Sequence, residues 1–333
     1  GDWNTMFSTI YIEEEVLELE RVRNLLDRFA QVPQVICGRY GEVFNRKSQN
    51  FRLQKMAPAL ILAKKYGNKV LAAPSGYGYN ESKSYYFSHM LNCVYDCRYC
   101  FLQGMYSSAN YVLFVNYEDF EEAIAEEIGK NNGGGVYYSG YDCDSLALEP
   151  VSNFCSHFLP VFRRYPDAEL EIRTKSTQIR CLLDTEVVPN CVIAMSFTTE
   201  EAAGQWEHKV PSIKKRLQAL HKLQLAGWKV AIRFEPLILG AEGLAPYEAL
   251  FAQIFSKIDV QRLHSVSSGL FRMPVDFHKR IVKLYPDEEL FARPTQTTEG
   301  MIALKSTEEN THLVAIEELL LKYVSSEQYY RCA

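Results

Sequence analysis

No apolar run in this chain reaches the roughly 18 residues that a membrane-spanning helix requires, so no helical span is expected. Nor does a basic stretch followed by an apolar segment open the sequence, and a cytoplasmic location is the expectation. Cysteine is sparse and its count of nine is odd, which argues against a disulfide-dense secreted domain. Low-complexity tracts, internal repeats and Gly/Pro/Ser-rich linkers are all missing, which excludes solenoids and loosely tethered modules. Positive charge does not dominate either: the net charge is −5, which alone offers nothing to attract a polyanion. What remains is an ordinary globular composition, 47% apolar and 23% charged, in 333 residues that can bury a sizeable core.

The charge is unevenly spread. Residues 205–285 hold 13 Lys and Arg against 6 Asp and Glu, whereas acidic residues crowd 13–27 and the stretch after Pro286. One basic face on an acidic protein fits this pattern, and so do scattered Lys and Arg on exposed helices.

The most informative cysteines are Cys93, Cys97 and Cys100, in the run Cys93-Val94-Tyr95-Asp96-Cys97-Arg98-Tyr99-Cys100. Three thiolates on one short loop can each bind a different iron of a [4Fe–4S] cluster, leaving the fourth iron without a protein ligand. A structural zinc site would want a fourth Cys or His at paired spacing, and none follows. Cys37, Cys155, Cys181 and Cys191 fall among apolar residues and are expected to behave as small hydrophobes, with Cys332 exposed near the end. Cys143 stands apart from these, between two aspartates.

Beyond the triad, strand and helix patterns alternate. Strands are expected at 85–91, 136–139, 170–174, 192–197, 229–235 and 263–267. Helices are expected at 117–130 (with Asn116 as N-cap), 150–164, 211–226 (closed by Gly227), 247–256 and 274–284. Six βα units in a row predict an α/β fold with a right-handed parallel sheet, curled into an open, partial TIM-like barrel. The expected organisation is an N-terminal α/β extension over 6–83, a barrel core over 84–285 and a C-terminal helical tail over 286–333. Working residues should then emerge at the C-terminal strand ends. The cysteine loop follows the first strand, and Ser139-Gly140-Tyr141-Asp142-Cys143-Asp144-Ser145 follows the second. Lys175 closes the third strand, Ser196 stands near the end of the fourth, and Arg233 and Glu235 lie near the end of the fifth.

A cysteine triad at this spacing, with an aromatic before its last member, resembles the radical S-adenosylmethionine (SAM) superfamily. The resemblance implies a [4Fe–4S] cluster on Cys93, Cys97 and Cys100, and SAM chelated to the open iron through its amino and carboxylate groups. It places Tyr99 near the adenine. Asp144 and Ser145 become candidates for the methionyl ammonium, Lys175 for the SAM carboxylate, and Ser196 for ribose or carboxylate oxygens. Arg233 and Glu235 are either SAM contacts or a structural ion pair.

Within that superfamily the chain resembles spore photoproduct lyase. The likeness is carried by Cys93-x3-Cys97-x2-Cys100-Phe101-Leu102-Gln103, Arg173-Thr174-Lys175, Ser196, Trp206-Glu207 ahead of Arg216-Leu217, Phe271-Arg272 and Leu284-Tyr285-Pro286. It implies reductive cleavage of SAM to a 5′-deoxyadenosyl radical that reverses a pyrimidine dimer or cross-link in DNA. It also implies a flavodoxin or ferredoxin as electron donor and a role for Trp206 and Arg272 at the substrate. Family members use a cysteine after the second strand to return hydrogen, aided by a tyrosine matching Tyr99 and another just past the cluster loop. Here Tyr141 holds the donor's aligned place, Cys143 lies two residues on, and Phe101 replaces the second tyrosine. The family's aromatic, basic C-terminal hairpin is also reduced, to Ala292-Arg293-Pro294-Thr295-Gln296-Thr297-Thr298-Glu299-Gly300. These departures mark a divergent member. A radical SAM enzyme for a nucleoside, RNA or peptide is the alternative, and a non-enzymatic metal-binding nucleic-acid module is a second.

Overall fold

Six strands line up in chain order: Ser84–Phe87, Val136–Ser139, Glu169–Thr174, Cys191–Ser196, Lys229–Leu237 and Val266–Leu270, all parallel. We refer to them as strands one to six. They come from a computed structural model that describes residues 3–74, 83–304 and 309–332. Strand four is buried along its whole length, because helices cover its outer face and interior side chains cover the other. Val192, Ala194 and Ala231 form a small apolar layer of their own. By strand alternation they share a face with Ser196 and Arg233, so this layer lies inside the curl.

The sheet is longer than the six expected strands. Tyr329–Arg331 adds a parallel strand beside strand six, and Leu71–Ala72 an antiparallel one beside strand one. The C-terminal segment is therefore more than a helical tail. It supplies this strand, the helix Glu309–Leu320 and a hairpin of Thr295–Thr298 with Met301–Leu304, which joins Arg272–Pro274 in a three-stranded sheet. The hairpin turns at Glu299 and Gly300, both at positive φ, the backbone that a tight two-residue turn demands.

A second sheet runs Gln34–Cys37, Ile10–Glu13, Leu60–Ala63, Tyr111–Phe114 and Met90–Leu91. Its last two strands come from residues beyond the N-terminal stretch. The expected strand 85–91 is thus two: Ser84–Phe87 pairs in the barrel, and Met90–Leu91 pairs antiparallel with Tyr111–Phe114. Strand six begins three residues later than its sequence indicated, following a 3-10 turn at Val260–Arg262 that Leu263 closes as C-cap.

The helices largely follow their patterns. Tyr117–Lys130 has the expected bounds, but Asn116 does not cap it; its side chain instead bonds both backbone groups of Lys65. The expected helix at 150–164 breaks at Asn153, which sits at φ 50, into Glu149–Ser152 and Phe154–Arg163. Ile213–Leu225 is capped by Ser212 and ends before Gly227 at φ 99. Among the described residues, no helix is long and apolar enough to cross a membrane.

Candidate active site at the cysteine loop

The cysteine loop leaves the small sheet at Asn92, whose left-handed backbone (φ 73) turns the chain. Its amide side chain locks the bend by donating to the carbonyls of Ser108 and Asn110 at 2.7 and 2.8 Å. Asp96–Cys97 then pairs antiparallel with Glu207–His208, and Arg98 N donates to Trp206 O at 2.9 Å. Gln103 donates to Asp96 at 2.7 Å and to the Cys97 carbonyl at 3.2 Å. Gly104 is obligatory in this packing, since a Cβ there would lie 2.3 Å from the Phe277 carbonyl oxygen.

These constraints open the loop onto a cavity of about 240 Å³. Cys93, Cys97 and Cys100 line it, and so do Tyr141, Cys143, Asp144, Lys175, Ser196 and Glu235. Nine of the fourteen candidates read from the sequence thus meet on one space. Four of the other five are deeply buried, and the fifth is exposed.

Tyr99 turns away from the cavity, and its hydroxyl donates to Glu207. Glu207 also pairs with the fully buried Arg216 at 2.6 Å, and Arg216 donates to the Ser196 carbonyl at 2.9 Å. One network thereby joins the cluster loop to the end of strand four. Trp206, a candidate substrate contact, is a core residue at 4% exposure with the Arg293 guanidinium 5.4 Å from its ring centre. Arg272, its companion, is exposed on the three-stranded sheet.

The turn after strand two depends on Gly140, at φ +92, where a Cβ would come within 2.5 Å of Ser145 Oγ and 3.0 Å of the Arg173 carbonyl. Ser145 is buried behind it, its hydroxyl 2.8 Å from Ser139 Oγ, so it braces the turn instead of facing the cavity. Asp144 is heavily bonded. It accepts from Thr174 Oγ1 (2.6 Å), Lys175 N (2.7 Å), Leu146 N (3.1 Å) and Ala147 N (3.0 Å), tying the loops after strands two and three together.

Lys175 holds its ammonium 3.8 Å from Cys97 Sγ and 5.2 Å from the Tyr99 ring centre. Burial lowers the lysine, while the negative charge of Cys97, when it is a thiolate, and of Glu207 raises it, and the net direction is upward. Burial also drives the Cys97 thiol up to about 12, against the pull of Lys175. Metal charge would be needed to hold it as a thiolate.

Arg233 and Glu235 do not pair with each other. Arg233 is fully buried and bonds Glu171 and, at 3.0 Å, Ser265 Oγ. Glu235 faces the cavity, accepting from Ser267 Oγ at 3.0 Å with Arg173 Nη1 3.7 Å away. Arg173 in turn bonds Glu171 at 2.9 Å. Arg233 is therefore an interior residue, one layer removed from the cavity.

Cys143 is buried, and burial raises its thiol well above the ordinary value, so it carries S–H at neutral pH. Tyr141 stands beside it, its ring 4.6 Å from that of Tyr86 and 5.7 Å from that of Phe101. Cys332 is half-buried at the end of its strand, not exposed.

Two charged cavity residues escaped the sequence reading. Lys55, from the N-terminal segment, donates to the carbonyls of Cys93 and Tyr95 at 3.2 and 3.1 Å. Arg173, on strand three, is the second. Nothing local flags Lys55, since its partners lie 38 and 40 residues away.

The donor set fits an iron–sulfur cluster. Among the described residues, only one His/Cys/Asp/Glu group, far from this loop in sequence, has all its ligand atoms within 4.8 Å. The three loop thiols are thus spread wider than a single ion takes, as separate corners of a cubane require. Of the other lining residues only Cys143 is a cysteine, and it belongs to a different wall, the turn after strand two.

A family model described as spore photoproduct lyase matches residues 6–296. A spore photoproduct lyase from Clostridium acetobutylicum is 22% identical over 211 residues, 63% of this chain, and the chain spans about 62% of that relative's length. Among solved structures, a spore photoproduct lyase variant with bound AdoMet and dinucleoside spore photoproduct matches with TM-score 0.85 and 17% identity, covering 98% of both chains. A spore photoproduct lyase complexed with dinucleoside spore photoproduct matches with TM-score 0.84 and 16% identity, covering 99% of both. At such identities the structural likeness establishes the fold alone, a partial barrel.

Proposed function

Because the chain belongs to the spore photoproduct lyase family, we propose that it is a radical SAM carbon–carbon lyase that reverses a pyrimidine-dimer or cross-link lesion in DNA without light. One observation carries the reading: three cysteines of a single loop and the thiol of Cys143 open on the same cavity. Bound there, a [4Fe–4S] cluster and SAM supply one-electron cleavage of a sulfonium and, from it, abstraction of a hydrogen atom. Cys93, Cys97 and Cys100 would hold the cluster, with Lys55 fixing the loop's carbonyls and Lys175 offsetting thiolate charge. Arg173, Ser196 and Glu235 present both signs of charge for the ammonium and carboxylate of an amino-acid group. Asp144 acts by holding the loops that carry Cys143 and Lys175.

Cys143 is assigned the return of hydrogen to the substrate. Its S–H bond breaks as a C–H bond forms, leaving a sulfur radical that a phenol O–H can requench; the phenoxyl radical so formed is restored by one electron from the flavodoxin or ferredoxin and one proton from solvent. Tyr141, two residues away on the same wall, is assigned as that phenol, although Tyr95 also lines the cavity. Phe101 lacks the hydroxyl to take part. A reducing cytosol with a flavodoxin or ferredoxin would suit the chemistry.

DNA would approach past Arg272 and the helix Val275–Leu284, whose Lys279 and Lys283 are exposed. Extruding a lesion costs less than flipping a sound base, because its stacking is already impaired. The hairpin tip, Glu299 and Gly300, offers no aromatic wedge. That feature favours a second reading in which the same chemistry serves a nucleoside, RNA or peptide.

The test is anaerobic incubation of oligonucleotides bearing a panel of UV-induced and cross-link lesions with SAM and dithionite. Lesion reversal is expected, with binding that weakens steeply as salt rises. SAM cleavage without lesion turnover would move the substrate to the second class, and zinc in place of iron and sulfide would leave only a metal-binding module. With Cys143→Ala, aberrant adducts or stalled turnover are expected; unchanged product would shift the donor to Tyr141 or solvent.

A further inference from the structure

Cys155 and Cys181 were expected to be small hydrophobes, yet they face a buried carboxylate. Glu149 opens the short helix after strand two, Cys155 lies six residues on in Phe154–Arg163, and Cys181 sits in Arg180–Leu183 after strand three. One ligand atom from each lies within 4.8 Å of the other two. Glu149 is only 4% exposed, and its Oε1 accepts from the Cys155 backbone N–H at 3.0 Å. No nitrogen or oxygen donor reaches its Oε2, and the side-chain donors at the carboxyl are the thiols of Cys181 and Cys155. Thiols are weak donors, so this buried carboxyl is poorly satisfied, and a cation held between it and the two sulfurs is one way to satisfy it. None of the three residues lines the cluster cavity.

The chemistry selects the ion. Two sulfur donors and one carboxylate exclude magnesium and calcium, which take all-oxygen sets. Two cysteines are too few for an iron–sulfur cubane. In a tetrahedral zinc site, bonds of about 2.3 Å to sulfur and 2.0–2.2 Å to oxygen put the ligand atoms roughly 3.5–3.8 Å apart, inside the observed bound. We propose that Glu149, Cys155 and Cys181 form a zinc site, with water completing the set on the side where Cys181 reaches solvent. Binding releases the two thiol protons. Zinc would staple the segment that follows Cys143 and Asp144 to the segment that follows Lys175, bracing two walls of the active site from behind.

The test uses the full chain with Cys93, Cys97 and Cys100 all replaced by Ala, so that the cluster loop cannot scavenge metal. Elemental analysis after anaerobic dialysis against micromolar zinc should find about one zinc per chain. Cobalt in its place should give the d–d bands of a tetrahedral site and sulfur-to-cobalt charge transfer. Adding Cys181→Ser, or separately Glu149→Gln, should remove the metal or weaken it at least about ten-fold while the circular dichroism spectrum is kept. Zinc should raise the melting temperature of the triple variant and leave that of the Cys181→Ser form unchanged. The proposal falls if the triple variant binds no zinc, if its zinc is indifferent to both further changes, or if unreduced digests show a Cys155–Cys181 disulfide.

Discussion

Two buried glutamates illustrate how differently the same pair of residue types is used. Glu207 and Glu171 each meet a fully buried arginine, Arg216 and Arg233 respectively. Glu207 lies outside the barrel sheet, in the short ribbon that clips the cysteine loop, and its other partner is the Tyr99 hydroxyl. Glu171 lies inside the barrel and is shared with a second arginine, Arg173. The first network positions a loop; the second fills an interior. In strand register Glu171 stands beside Val192 and Arg233 beside Ser196, so their ion pair crosses strand four diagonally. Ala194 and Ala231 are small enough to leave that path open.

Breaking the inner network should have the larger effect on stability. Glu171→Gln leaves Arg233 buried with no carboxylate, which costs about 3–5 kcal/mol. Denaturant melts would show it, with iron content and cluster absorbance per folded chain unchanged. The same carboxyl predicts a pH dependence. Burial alone would raise it, but Arg233 and Arg173 overcome burial and hold it at about 2 in the folded protein. A depressed folded value means that the stabilisation is complete above the unfolded value near 4.5 and lost as pH falls through about 2. Denaturant midpoints should drop across that window in the parent chain, and the Gln variant should show a shallower slope. Equal slopes would mean that other carboxylates carry the acid sensitivity.

Breaking the outer network should act on the metal before the fold. In Glu207→Gln one buried arginine loses its carboxylate, whereas Glu171 serves two, so destabilisation should sit at the low end of the range for a broken buried pair, about 3 kcal/mol. The clip on Asp96–Cys97 loosens, however, and cluster retention against a chelator should weaken about ten-fold. A variant that loses stability but holds its cluster as tightly as the parent would reduce Glu207 to a fold residue.

The same contrast explains what could be read from the sequence. The cysteine loop was legible because its three ligands are local, and the barrel because strand and helix periods alternate cleanly. Ser196, Lys175 and Glu235 were legible as strand-end residues. Arg233 was misplaced because a sequence shows that two charges share a strand face, not which one a neighbouring strand's register will neutralise. Lys55 and the Glu149–Cys155–Cys181 group were invisible for a related reason. Each depends on segments brought together only by packing, and a cysteine among apolar neighbours looks the same whether or not a carboxylate lies behind it. The strand 85–91 failed because apolar alternation does not say which of two sheets a residue joins.

Tyr99 gives the finest test of the comparison. Its hydroxyl donates into the outer network, so Tyr99→Phe removes one hydrogen bond to a charged acceptor while the ring stays packed beside Lys175. The expected loss is about 1.5–3 kcal/mol at most, less if Glu207 leans further on Arg216, with cluster retention close to the parent. Thermal melts and iron retention would establish the structural part. Turnover is the deciding measurement. If hydrogen return runs through Cys143 and Tyr141, Tyr99→Phe should lose activity only in proportion to its loss of folded, cluster-bearing protein. A deeper loss in a stable, fully loaded variant would put the Tyr99 hydroxyl back among the reacting groups, and Glu207 would then be the residue that orients it.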